Sequence, residues 1–123
     1  MEFRYARHPN RLEAEHPRII EDLLELVSQD QVAVNAVILM LEDLYVRGLE
    51  SRFVKKLKDL PFWELKTRSR GGKKGGTRVY FAVVDGYAIL LNAEVKTGDT
   101  PSANKLEEAA EILLAHRRGI PVF

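Results

Sequence analysis

The chain has 123 residues, 46% of them hydrophobic and 30% charged, with a net charge of +1 and no cysteine. That length supports a single domain, residues 1–123, around one proper core, and the missing cysteines exclude disulfides, thiolate metal sites and a Cys nucleophile. The small net charge conceals an asymmetry: residues 1–51 carry five Lys/Arg against ten Asp/Glu, residues 52–78 ten against two, and residues 79–123 four against six.

A basic middle inside an otherwise acidic chain points to an anionic partner for one surface, or to a solvated, internally paired surface. The start, "MEFRYARHPN", is charged and lacks an apolar h-region, so no signal peptide is expected. "MEFRY" alternates and predicts a short strand, stopped at His8-Pro9. From about Pro17 to Ser28, the spacing of Ile20, Leu23, Leu24 and Val27 predicts an amphipathic helix with Pro17 in its first turn. Asp30 is a candidate cap for a second helix over 31–47, closed by Gly48. Its run "VAVNAVILML" is too short to span a bilayer, which takes about 20 residues; a cytoplasmic protein is expected. Val32, Val34, Val37, Ile38, Leu39, Met40 and Leu41 cannot share one stripe, so this helix is either buried on two faces, the expected case, or offers a patch to a partner.

Three strands are predicted next, at about Phe62–Ser69, Thr77–Val84 and Tyr87–Lys96, each rich in β-branched and aromatic residues. Thr100 is the candidate cap of a last helix, with Pro101 at its first position and an inner stripe of Leu106, Ala109, Ala110 and Leu113. "HRRG" ends it, and the apolar tail "IPVF" is a candidate to dock on the body. The order β-α-α-β-β-β-α predicts an α+β fold, with helices packed against a mostly antiparallel twisted sheet.

Alternation with period 2 sorts the strand residues. Trp63 and Leu65 oppose Glu64, Lys66 and Arg68; Val79, Phe81 and Val83 oppose Arg78 and Tyr80; Tyr87, Ile89, Leu91 and Val95 oppose Asn92, Glu94 and Lys96. A two-residue loop at Asp85-Gly86 mixes these sets, whereas a three-residue loop pairing Val83 with Tyr87 collects the polar ones on one face. The hydrophobic pattern therefore predicts the longer loop, with Gly86 at positive φ. Four cations across adjacent strands repel one another unless an anion or the two carboxylates offset them, and such a cost suits a phosphate site.

The ordered set "VKKLKDLPFWELKTRS", "TRVYFAV", "YAILLNAEVKTGDTP" and "LEEAAEIL" resembles the RelE/HigB superfamily of bacterial toxins, nearest its phage-derived HigB-like branch. The match is collinear over about 55–114 and runs through Leu57, Lys58, Trp63-Glu64-Leu65, Arg78-Val79-Tyr80, Leu90-Leu91, Lys96, Thr100-Pro101 and Ala109. The chain departs from the family pattern in having Lys66 where Arg is frequent, a single Lys96 before Thr-Pro, a long "SRGGKKGG" segment and no clear C-terminal Tyr or His, His116 lying within the helix pattern. The resemblance implies the toxin of a type II toxin–antitoxin pair. Such a toxin is an endoribonuclease that cleaves mRNA on the ribosome, needs no metal or cofactor, and is neutralised by a cognate antitoxin protein.

In that chemistry the RNA 2′-OH attacks the adjacent phosphorus, and the enzyme aligns groups, stabilises charge and moves protons. Arg78 and Arg68 suit charge stabilisation, since a guanidinium stays charged and grips phosphate bidentately. Lys66 or Lys96 can act as base only where neighbouring cations lower its pKa; Glu64 is a base or a salt-bridge partner. Tyr80 can donate a proton or stack on a base, or be a plain sheet-face tyrosine. Arg70, Lys73 and Lys74 in the glycine-rich segment, with Lys58 and Asn92, are candidates to hold the RNA backbone. His8, His16 and His116 show no metal-ligand spacing, and the glycines match no nucleotide-binding motif. The rival readings are a relative that binds RNA or protein without cutting, and a structural phage protein.

Overall fold

The computed structural model describes residues 1–29, 31–66, 76–95 and 100–119. In chain order these form β1 (Phe3–Tyr5), α1 (Arg18–Gln29), α2 (Gln31–Arg47), a 3-10 turn (Gly48–Glu50), β2 (Val54–Lys56), β3 (Trp63–Lys66), β4 (Thr77–Val84), β5 (Tyr87–Val95) and α3 (Ala103–Arg117). The strands make one sheet in the order β1-β5-β4-β3-β2, with β1 parallel to β5 and every other pair antiparallel. The fold is α+β as expected, with one strand more than the sequence pattern gave. That strand is β2, a three-residue edge on β3.

Both helices before the sheet form where expected, but α1 does not bury the expected stripe: Ile20 and Leu23 are half-buried, and Leu24 and Val27 are exposed. Ile19 and Leu26 of α1 enter the core, and Ala33, Val37, Met40 and Leu44 do so from α2, at the i, i+4, i+7, i+11 positions of one face. Gly48 at φ 58° ends α2 in the left-handed conformation that glycine tolerates. The expected burial of α2 on two faces does not hold. Ile38, Leu39, Tyr45 and Val46 are exposed, and an apolar groove lined by Phe3, Ile38, Leu41, Tyr45 and Val46 runs between α2 and β1. Asp30, the candidate cap of α2, lies outside the described residues.

The last helix begins two residues later than expected. Ser102 caps it, its hydroxyl accepting from the Lys105 N–H at 3.3 Å. Its buried residues are Ala109, Ile112, Leu113 and Ala115, while Ala110 faces solvent and Leu106 is half-buried. Gly119, at φ 107°, follows the final turn; the tail after it lies outside the described residues.

The β4–β5 turn overturns the three-residue loop. Val84 pairs with Tyr87, and Asp85 and Gly86 both take positive φ, 52° and 81°, as a two-residue type I′ turn requires. The polar sets still converge, because the register shifts between Tyr80 and Phe81: Phe81 pairs with Leu90, but Tyr80 pairs with Asn92. Leu91 is the extra residue of a β-bulge, so Leu91 and Asn92 share a face. The bulge keeps the polar residues together, but it corrects the apolar set: Ile89 and Leu91, expected opposite Asn92, lie on its side of the sheet with Tyr80 and Ala82. Gly86→Ala is expected to cost about 1–2 kcal/mol, the penalty of a Cβ in the left-handed region. No atom crowds the position, so the loss is purely conformational; chemical denaturation measures it, and a neutral result would refute the turn.

Helices cover both faces of the sheet. On one, α1 and α2 bury Leu65, Val79, Phe81, Ala88, Leu90 and Ala93. On the other, α3 packs on β5 and β4, and with Leu57 and Phe62 it encloses Tyr80, Ala82, Ile89 and Leu91. The polar face expected to lie open is therefore half roofed.

Candidate functional site

Register alone assembles the candidate side chains. Glu64 stands opposite Tyr80, which stands opposite Asn92; Lys66 stands opposite Arg78, which stands opposite Glu94. These two adjacent rows form a grid of six polar side chains over three strands, all on the α3 side. Directly paired residues on one face interact most strongly, and diagonal neighbours lie within reach of long side chains. Both strong contacts here are diagonal: Arg78 Nη1 donates to Glu64 Oε2 at 2.6 Å, and the Tyr80 hydroxyl donates to Glu94 Oε2 at 2.6 Å.

Burial changes what these groups can do. Arg78 is 1% exposed, and Glu64, Tyr80 and Asn92 are fully enclosed. Arg78 and Glu64 form an ion pair inside the fold, where the expected open guanidinium would have met a phosphate. Glu64 Oε1 is enclosed without a hydrogen-bond partner among the described residues. Tyr80 presents no ring face to a base; its ring packs edge-on to Phe62 at 6.2 Å between centroids. Burial and the hydrogen bond to Glu94 hold its hydroxyl proton well above the usual tyrosine range, so it is a poor proton donor. Asn92, a candidate for RNA, gives its side-chain amide to the Lys105 carbonyl at 3.0 Å and to Glu108 Oε1 at 2.9 Å. For these four residues the structural role is the one the packing supports.

Lys66 differs. It is half-buried at the β3 corner of the grid, and its ammonium has no hydrogen bond or ion pair among the described residues. Lys58 is exposed in the turn between β2 and β3. Arg68, Arg70, Lys73, Lys74 and Lys96 lie outside the described residues.

At the Glu94 end, a cavity of about 160 Å³ is lined by Asp22, Glu25, Thr77, Glu94 and Lys105, among others. Three carboxylates against one ammonium repel a phosphate, so this cavity is not part of a cationic site. It adjoins an ionic network that period-2 and period-3.6 patterns could not reveal. β1 has ended before Ala93, and the outward Ala93 N–H donates instead to Asp22 Oδ2 at 2.9 Å. Lys105 Nζ reaches both Asp22 oxygens at 3.0 Å, and Arg18 bridges Asp22 and Glu108. The network ties α1 to α3 around the edge of β5. Among the described residues no group of His, Asp and Glu is placed to hold a metal ion, and no helix is long and apolar enough to cross a membrane.

No family model matches the sequence, and no curated protein matches it.

Proposed function

We propose that the protein is a RelE/HigB-like toxin of a type II toxin–antitoxin pair, a cytoplasmic endoribonuclease that cuts mRNA on the ribosome without a metal or cofactor. The observation that carries this reading is Lys66: a half-buried cation with no partner among the described residues, at the β3 corner of a polar grid on three adjacent strands. The ordered sequence resemblance supports it independently. In the reaction, the bond from the ribose 2′-oxygen to phosphorus forms as the bond to the 5′-oxygen breaks. The 2′-OH loses its proton and the 5′-oxygen gains one, leaving a 2′,3′-cyclic phosphate and a 5′-hydroxyl. Lys66 would stabilise charge on the phosphoryl oxygens, and the buried Arg78–Glu64 pair would hold β3 and β4 in place beneath it. Arg68 and Lys96 enter the proposal by sequence position alone. The exposed apolar residues of α2 suit a protein partner such as an antitoxin.

A second reading, a module that binds RNA without cutting, is favoured by the enclosure of Arg78, Glu64 and Tyr80, which leaves few groups to move protons. Induced expression of wild type beside Lys66→Ala separates the two. The nuclease reading expects growth arrest with mRNA fragments ending in cyclic phosphate, and about a hundredfold less cleavage in the variant. Stalled translation with intact mRNA would leave only the binding module; normal growth and translation would remove both.

A further inference from the structure

The β2 edge carries two adjacent lysines that the fold uses differently. Lys56 stands opposite Trp63; its ammonium lies 5.4 Å from the centre of that ring and donates to the carbonyls of Leu57 and Leu60. It is committed to closing the turn after β2. Lys55 stands opposite Glu64, and so lies on the grid face, extending the row Glu64–Tyr80–Asn92 onto a fourth strand. The carboxylate it faces is already held by Arg78 at 2.6 Å. Lys55 is exposed and has no hydrogen bond or ion pair among the described residues.

Lys66 is two residues along β3 from Glu64 and is therefore the diagonal neighbour of Lys55. Diagonal positions on paired strands are about 7–8 Å apart. That separation is too wide for one lysine to satisfy the other's counter-ion, but it lets two ammonium groups reach different oxygens of one phosphate. Helix α3 packs on β5 and β4, leaving Lys55 exposed and Lys66 half-exposed on the far half of the face. Charged residues on an edge strand also deter strand-to-strand aggregation. That role needs only a position at the edge, which Lys56 fills equally, and does not account for two cations on one face with no partner among the described residues.

We infer that Lys55 and Lys66 form a phosphate clamp for the backbone of single-stranded RNA, on the β2–β3 half of the sheet. The inference rests on the proposed function for its ligand class. It adds a residue, Lys55, and an entry direction: the strand crosses the sheet from the β2 edge. Lysine acts here as a point charge, so the clamp tracks the backbone without reading bases.

The test is binding of a labelled, fully 2′-O-methylated oligoribonucleotide, which cannot be cut, to the purified full chain over a range of salt. Each lost phosphate contact to a single strand lowers the slope of log K against log salt by about 0.7. Lys55→Ala and Lys66→Ala are each expected to lose about one such step and about fivefold in affinity at low salt. Lys55→Arg should retain binding. Lys56→Ala removes the same charge from the neighbouring residue on the other face and should leave the slope unchanged. A Lys55→Ala slope equal to wild type, an equal loss in Lys56→Ala, or no wild-type binding would each overturn the clamp. The cleavage assay in cells reports separately on the nuclease. A protein that cuts mRNA while Lys55→Ala binds normally would lose the clamp and keep the proposed function.

Discussion

Arg78→Ala is expected to cost about 3–5 kcal/mol of folding stability, because it strands the Glu64 carboxylate inside the protein without its partner. Glu64 is fully enclosed, and the pair is made at 2.6 Å. The double variant Glu64→Leu/Arg78→Met should recover most of that loss, since hydrophobic replacement of a buried ion pair is often neutral or stabilising. Glu64 Oε1 has no hydrogen bond among the described residues, so the native pair is itself incompletely compensated. Urea denaturation of the three proteins measures both effects. A loss below about 1 kcal/mol in Arg78→Ala is the behaviour of a solvated surface pair, and would mean that this part of the face is open to ligand after all.

That expectation changes how function should be probed. Arg78 is the residue that the sequence resemblance makes most attractive as a catalytic group, and Arg78→Ala is the obvious variant. If it unfolds the protein, loss of the proposed activity says nothing about chemistry. Lys55 is exposed and Lys66 half-buried, and neither has a hydrogen bond or ion pair among the described residues, so Lys66→Ala and Lys55→Ala test the site with the fold intact.

Strand β4 is found at Thr77–Val84, where the sequence places it, because it obeys one period from end to end, and α2 at Gln31–Arg47, between its expected bounds. Strand β5 obeys no single period. Its two halves are out of step by the bulge at Leu91, and a reading that insists on one register must assign the wrong turn to Asp85-Gly86. The six grid residues that share a face were legible, since the bulge restores the same parity beyond Tyr80. Their burial was not. Alternation tells which residues are neighbours on a face, but whether solvent or helix α3 lies over them depends on a segment about 20 residues further along the chain. Strand β2, at three residues, is too short for alternation to show, and the sequence alone does not assign Lys55 to a face.

The second large effect is expected at Asp22. Asp22→Ala should cost about 3 kcal/mol at neutral pH: leaving the buried Ala93 N–H without an acceptor costs about 1–3 kcal/mol, and Lys105 and Arg18 lose a shared partner. Asp22→Asn keeps an acceptor for that N–H and should lose less. The pH dependence distinguishes charge from geometry. Burial raises the Asp22 pKa, against the Ala93 N–H and the cations Lys105 and Arg18. The folded protein therefore holds this proton more tightly than the unfolded chain, and the Asp22 contribution to stability is present in acid and lost as pH rises through its raised value. Glu21 and Glu108 act in the opposite sense. The hydrogen bond from Arg11 lowers Glu21; burial alone would raise Glu108, but the hydrogen bonds from Asn92 and Arg18, with the nearby cations, lower it. Their stability contributions are present at neutral pH and lost as pH falls. In wild type the Asp22 proton offsets part of that acid loss. Asp22→Asn removes the offset, so its stability should fall more steeply with acid, between the raised Asp22 value and the ordinary aspartate range. Stability measured against pH for the two proteins decides it: parallel acid limbs would mean that Asp22 titrates as an ordinary surface carboxylate, and that the link between α1 and α3 is held by shape instead of charge.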